Sequence, residues 1–461
     1  MALEVRDATL RGEFGTDLNA RVAGRLGAAF ARFLHQHVPS TMVAVGRDTR
    51  ATGANLLAHF LAGLAAYPCR VLDAGVVPTP SLAVAAGEWG ARASVMVTAG
   101  RAPSDWNGFR FSMDGLPLDP AAMRDLRERY RWAPVPKPAR PLLEKRYGQA
   151  GALHVDRLRA LLPDVRLDLR AGVDAGRGAA EAPLMALLDA LGARTFPVHT
   201  VRDHHTPETG LKPLATRVIR SGCQLGIATG WEGLLLILVD EKGRRLSRHQ
   251  TLALALGSFL ELHRDAVVVA RGPQSRMIEA LIEELRVERR TAGTPRAAVE
   301  ELASLSREKR QAVGIDLTGE LTWPSVCHVP DGLAALLLIL RSLALRRVPL
   351  SVLCEDLPPF ASAEVSLPRP TDLEPSRLAR DLAAAFPQAR LTGPGQRRPW
   401  SLRADLEGGG WVALSDSVQT STVDVWAEVP LPDRPEALTA RVQELLGFPS
   451  LAGRQEARSA Q

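Results

Sequence analysis

A glycine and an arginine stand side by side at Gly100-Arg101, inside the run Thr98-Ala99-Gly100-Arg101-Ala102-Pro103, with hydroxyls close by at Thr98 and Ser104. Glycine has no side-chain oxygen and cannot accept a phosphoryl group. A guanidinium offers a planar fork of donors that suits a phosphate. Arg11, Arg47 and Arg50 could make the same surface basic, with ion pairing to Asp48 or Asp105 as the competing structural use. The segment Gly230-Trp231-Glu232-Gly233-Leu234-Leu235 carries one carboxylate, read here as a single exposed group. One carboxylate is not the cluster of hard oxygen ligands that magnesium needs. The glycines of Gly172–Gly178 do not have the dinucleotide-loop spacing, and Ser417 lacks a nucleophile elbow.

These residues must be positioned by a chain of 461 residues, which is too long for one core and predicts three to four domains. The apolar share of 46% and charged share of 23% are those of a soluble globular protein. The net charge of +6 comes from 57 Lys and Arg interleaved with 51 acids, which argues against a nucleic-acid partner. Cys69, Cys223, Cys327 and Cys354 form no CxxC pair, so free thiols in a cytoplasmic protein are expected. The runs Gly233–Val239 and Gly332–Leu345 are too short or too interrupted to span a bilayer. No membrane partner is expected.

Apolar periodicity predicts helices over Ala20–His37, Asn55–Ala66, Ala180–Leu191, Arg276–Leu285, Gly332–Arg346 and Pro435–Leu446. Strands are predicted at Thr41–Val45, Arg70–Asp73, Ser94–Thr98, Leu167–Val173, Gln224–Ala228, Leu235–Val239 and Ala266–Ala270. Linkers are expected at Trp132–Pro141, near Ser247–Thr251 and at Leu357–Ser366. The rhythm is that of repeated βαβ units followed by a smaller α+β segment.

Several motifs fall in order along the chain: Thr9-Leu10-Arg11-Gly12, Val45-Gly46-Arg47-Asp48-Thr49-Arg50, Gly75-Val76-Val77-Pro78-Thr79-Pro80 and Asn107-Gly108-Phe109-Arg110-Phe111. With Thr98–Gly108 they resemble the α-D-phosphohexomutases, the phosphoglucomutase/phosphomannomutase-like family. That resemblance implies four domains around a central cleft: three α/β modules with mixed sheets plus a smaller C-terminal α+β domain. It places the boundaries at 1–141, 142–250, 251–362 and 363–461.

The resemblance also identifies four site loops, and each departs here. The nucleophile loop, T-A-S-H-N-P in the family, has Gly100 for the Ser and Arg101 for the His. The metal loop, D-G-D-G-D-R, has Gly230, Glu232 and Leu234 at its three aspartates. The sugar loop, G-E-x-S-G-H, keeps Glu320 and offers Thr322, followed by Trp323, which could stack on a sugar or pack at the surface. The phosphate loop, R-P-S-G-T-E-P, keeps Ser417 but loses its Arg. The reading drawn from these departures is a pseudoenzyme, inactive as a mutase, with no cofactor and no metal. It would bind or sense a hexose phosphate or other small anion, or pair with a homologous enzyme or another protein. Its alternatives are a divergent active phosphoglucomutase or phosphomannomutase, for which magnesium is expected, and a ligand-free interaction scaffold. Ligand contacts are expected from Arg11, Arg47, Arg50, Arg101, Glu320, Thr322 and Ser417.

Overall fold

The computed structural model describes residues 4–6, 8–38, 42–133, 142–199, 210–370, 373–393, 401–416 and 422–448. Four sheets follow one another along the chain. The first has eight strands and is mixed. Met42–Arg47 runs parallel to Arg70–Val76 and Ala93–Val97, whereas Trp106–Met113 returns antiparallel between Ala93–Val97 and Thr9–Glu13. Leu142–Lys145 closes its far edge beside Arg70–Val76. The next two sheets share one plan, in which three parallel strands carry one antiparallel edge. The last sheet, running from Phe360–Pro368 to Arg390–Thr392, is antiparallel throughout. The expected fold class is therefore present: three mixed α/β sheets and an antiparallel C-terminal sheet.

Two helices match their predicted bounds to the residue, and both have a capping acceptor. Asn19 accepts from the Val22 amide ahead of Ala20–His37, and Asp331 accepts from the Leu333 amide ahead of Gly332–Arg346. Two expected linkers are corrected. Ser247 and Gln250 form a capping box, so Ser247–Thr251 opens the helix Arg248–Leu262. Most of Leu357–Ser366 is the strand Phe360–Pro368, paired along its length with Thr422–Pro430. The boundaries at 250/251 and 362/363 fall inside these two elements.

By its contacts the chain forms two units, Met1–Arg271 with Val287–Cys354, and Gly272–Arg286 with Glu355–Gln461. In the second unit the helix Arg276–Glu284 is tied to the antiparallel sheet. The buried Glu428 carboxylate accepts from Ser275 Oγ, the Arg276 amide and Trp411 Nε1, each at 2.6 Å. Arg403 bonds the Gln274 carbonyl and lies 4.8 Å from the Trp411 ring centroid.

In the first unit an aromatic cluster of Phe30, Phe60, Phe109 and Phe111 fills the space between sheet and helices. The helices Ala20–His37 and Gly53–Leu64 approach closely through glycines. A Cβ on Gly27 would lie 2.0 Å from the Phe60 carbonyl oxygen, and one on Gly63 would lie 1.9 Å from that of Gly24. Because the obstruction is backbone, Gly63→Ala must push the helices apart, an overpacking cost of about 1–3 kcal/mol. A lower melting temperature is expected, and a variant melting with wild type would contradict this packing.

Candidate functional site

The loop after Ala93–Val97 is built on Arg50. Arg50 is 2% exposed, and its guanidinium reaches five acceptors. Nε donates to Asp48 Oδ2 at 3.2 Å, Nη1 to the Pro103 and Trp106 carbonyls, and Nη2 to the Gly100 and Ala102 carbonyls at 2.7 and 2.9 Å. A guanidinium has five N–H groups, so Arg50 is fully used in shaping residues 100–106. Gly100 has φ +63°, a left-handed backbone that favours glycine, so a serine side chain placed here would be strained.

Thr98 and Asn107 anchor the two ends of this loop. The Thr98 amide donates to the Gly108 carbonyl at 3.0 Å, and Asn107 Nδ2 donates to Thr52 Oγ1 at 2.9 Å. Thr98 Oγ1 lies 2.7 Å from Asp48 Oδ2 and also contacts Glu232 Oε1, so its single proton has two carboxylates to choose between. Burial is the largest influence on Asp48 and raises its pKa. The nearby Glu232 charge adds to this, against Arg50 and the hydrogen bonds Asp48 accepts.

Glu232 is 4% exposed, which corrects the expectation of an exposed carboxylate. Its loop is stitched on three sides. The Thr79 amide donates to the Glu232 carbonyl, the Ala179 amide to that of Trp231, and the Gly332 amide to that of Gly233. The carboxylate itself is filled: Oε1 meets Thr98, while Oε2 accepts from Thr79 Oγ1 at 2.7 Å and from Arg110 Nη1 at 3.0 Å. Burial alone would raise the Glu232 pKa. The Arg110 charge, the two threonine hydroxyls and Arg50 together outweigh it and hold the group below the usual range. Arg110 and the Thr79 and Thr98 hydroxyls are contacts that sequence reasoning missed. Arg110 stands within the motif Asn107-Gly108-Phe109-Arg110-Phe111, which was the available signal.

These residues do not fit a magnesium ion. Gly230 and Leu234 supply no side-chain oxygen, Oε2 of Glu232 is taken by Thr79 and Arg110, and no group of three His, Cys, Asp or Glu that could hold a metal occurs among the described residues.

Of the other expected ligand residues, Arg11 and Arg47 border the loop after Ala93–Val97 and Thr322 lies on another sheet. Arg11 is buried on Thr9–Glu13, 5.7 Å from the Trp106 ring centroid. Arg47 is half-buried, and its Nη1 donates to the Asp48 carbonyl at 3.2 Å. Thr322 lies on the short edge strand Leu321–Thr322, opposite Gly314. Ser417 falls outside the described residues. Trp323 is corrected from a sugar platform or surface residue to a core residue: it is 1% exposed and edge-on to Phe259 at 5.5 Å.

Glu320 is buried close enough to Asp316, Arg271, Arg101 and Arg110 to sense their charges. Burial first and then Asp316 raise its pKa to about 7, against the lowering effect of the three arginines. The folded state therefore holds a proton that the unfolded chain releases at its ordinary carboxylate pKa. The resulting stability is present below the ordinary pKa of 4.5 and is lost as pH rises through about 7. Relative to Glu320→Gln, which cannot ionise, wild type should lose stability from the ordinary pKa of 4.5 up to about pH 7. Denaturant midpoints that track together in both proteins would contradict the buried, proton-holding Glu320.

Residues 3–133 match the family model of the phosphoglucomutase/phosphomannomutase α/β/α domain I. Over 385 residues the chain is 28% identical to a protein of Methanopyrus kandleri named probable phosphoglucosamine mutase, covering 79% of this chain and 81% of that one. A phosphoglucomutase/phosphomannomutase family protein of Burkholderia thailandensis superposes with a TM-score of 0.74 at 24% identity, covering 95% of each chain. An Aspergillus fumigatus N-acetylphosphoglucosamine mutase, solved with GlcNAc-6P and magnesium, superposes with a TM-score of 0.55 at 14% identity over 96% of this chain and 95% of that one.

The pseudoenzyme expectation is corrected by these relatives, because a phosphoglucosamine mutase name extends along most of the chain. The sequence places no carboxylate beside the Thr98 hydroxyl, whereas the structure brings Asp48 to it from fifty residues away. Domain I, the relatives aligned along the chain and the four-sheet fold agree on one assignment: this chain belongs to the α-D-phosphohexomutase family.

Proposed function

We propose that the chain is a divergent phosphohexomutase that moves a phosphoryl group between the 1- and 6-positions of a hexose or hexosamine. The names of its relatives support this reaction and substrate class. At the site, the observation that carries the reading is the line Thr98–Asp48–Arg50: a hydroxyl 2.7 Å from a carboxylate that a guanidinium holds in place. An activated nucleophile needs these three parts, a hydroxyl, a base and a group that orients the base. Burial makes Asp48 a stronger proton acceptor than an ordinary carboxylate.

In the proposed step Thr98 Oγ1 attacks the phosphorus of a hexose 1,6-bisphosphate. The new Oγ1–P bond forms as the P–O bond to the sugar breaks. The hydroxyl proton passes to Asp48, which returns it to the departing sugar oxygen. The 6-phosphate so formed leaves as product, and the phosphothreonine passes its phosphoryl group to the free 6-oxygen of a hexose 1-phosphate, which regenerates the bisphosphate and the Thr98 hydroxyl. Thr98 is fully buried in this structure, so the step requires residues 99–103 to swing aside. A cytoplasmic location and one domain per sheet belong to the same proposal. A protein partner and a ligand-free scaffold gain no support from the described residues.

Incubation with glucose 1,6-bisphosphate followed by peptide mass spectrometry tests the nucleophile. A phosphoryl mass on the peptide bearing Thr98, absent from Thr98→Val, is expected. Phosphorylation at another residue would remove Thr98 from the role, and an unmodified chain would remove the covalent step.

A further inference from the structure

We infer that Arg110 is a fixed internal cation of this site, supplying at Glu232 the positive charge that a divalent ion would otherwise provide, so that the chain binds its anionic ligand without a metal. Oε2 of the carboxylate is taken by Thr79 and Arg110, Oε1 lies against Thr98, and Gly230 and Leu234 bring no side-chain ligand to the same spot. The charge is also balanced. Asp48 and Glu232 face Arg50 and Arg110, two carboxylates against two guanidiniums. A divalent ion added to this buried set would place uncompensated charge in a medium that solvates it poorly.

The two arginines differ in what they can still do. The Arg50 side chain is inaccessible and fully committed to the loop, while that of Arg110 keeps 19% of its exposure. Arg110 is borne by the rigid strand Trp106–Met113, with Nε 3.4 Å from Thr9 Oγ1 and Nη1 on Glu232. A guanidinium held by a sheet and still reachable is a preorganised anchor for a phosphate or phosphoryl group. The inference does not depend on turnover.

Two readouts test it on the full chain. In a titration followed by the electron paramagnetic resonance of free Mn2+, wild type should show no site tighter than about millimolar. By calorimetry, glucose 1,6-bisphosphate should bind equally well in EDTA and in magnesium, within about twofold. Arg110→Met should weaken it about tenfold or more, with Arg110→Lys retaining most of the binding. The lysine variant separates loss of charge from loss of fold. Uptake of one Mn2+ that disappears in Glu232→Gln would overturn the inference, as would bisphosphate affinity unchanged by Arg110→Met. A chain that binds the bisphosphate without metal but never converts it would refute the mutase reading and leave this one standing.

Discussion

Replacing Asp331 with alanine should destabilise the first unit by about 3 kcal/mol, the sum of a lost helix cap and a buried donor left without its acceptor. Asp331 does two jobs. Oδ1 accepts the Leu333 amide at 2.9 Å and caps Gly332–Arg346, while Oδ2 accepts from His154 Nε2 at 2.7 Å. The other ring nitrogen, Nδ1, lies 2.9 Å from Ser81 Oγ. An ionised carboxylate can only accept, so Nε2 carries the proton that faces Asp331. The order Ser–His–Asp is that of a hydrolase triad, but all three residues are fully buried and no substrate can reach the serine. The line instead joins three helices, Thr79–Glu88, Gln149–Leu161 and Gly332–Arg346, which come from distant parts of the sequence. His154→Ala should cost less than Asp331→Ala, because it leaves the cap in place. Denaturant unfolding of both variants checks the order. Equal stabilities, or an Asp331→Ala midpoint within error of wild type, would contradict it.

The second large effect is expected at Glu232→Ala. Removing this carboxylate leaves the Arg110 charge and the Thr79 hydroxyl without their acceptor, and breaking a buried pair in this way costs about 3–5 kcal/mol. The test is a double-mutant cycle. If Arg110 is the cation that balances Glu232, then Arg110→Met combined with Glu232→Ala should be less destabilising than the sum of the two single changes, by about 1–3 kcal/mol. Strict additivity would show that the two side chains do not act as a pair.

Some parts of this molecule are written locally in the sequence. The helices Ala20–His37 and Gly332–Arg346 have a continuous apolar face behind a capping residue, and those two signals fix both type and boundaries. The edge strand Phe360–Pro368 is less visible, because its side chains are only partly buried and its apolar alternation is weak. The association of Arg276–Glu284 with the C-terminal sheet rests on Glu428 and Arg403, well over a hundred residues away, so no local window contains it. The site divides in the same way. Gly100, Gly230 and Leu234 state which side chains are missing. What replaces them is a matter of meeting: Thr98 with Asp48, and Glu232 with Arg110 and Thr79. Glu232 looked like an isolated remnant because Arg110 comes from a different sheet and Thr79 from the start of the helix Thr79–Glu88.

Phosphorus NMR of the purified chain with glucosamine 1-phosphate, glucose 1-phosphate and glucose 1,6-bisphosphate is the most direct test of the central claim. Spectra should be followed in EDTA and in magnesium beside a heat-inactivated control. The account predicts new 6-phosphate signals that grow at similar rates in both conditions and are abolished by Thr98→Val. No conversion of any hexose phosphate in either condition would contradict it.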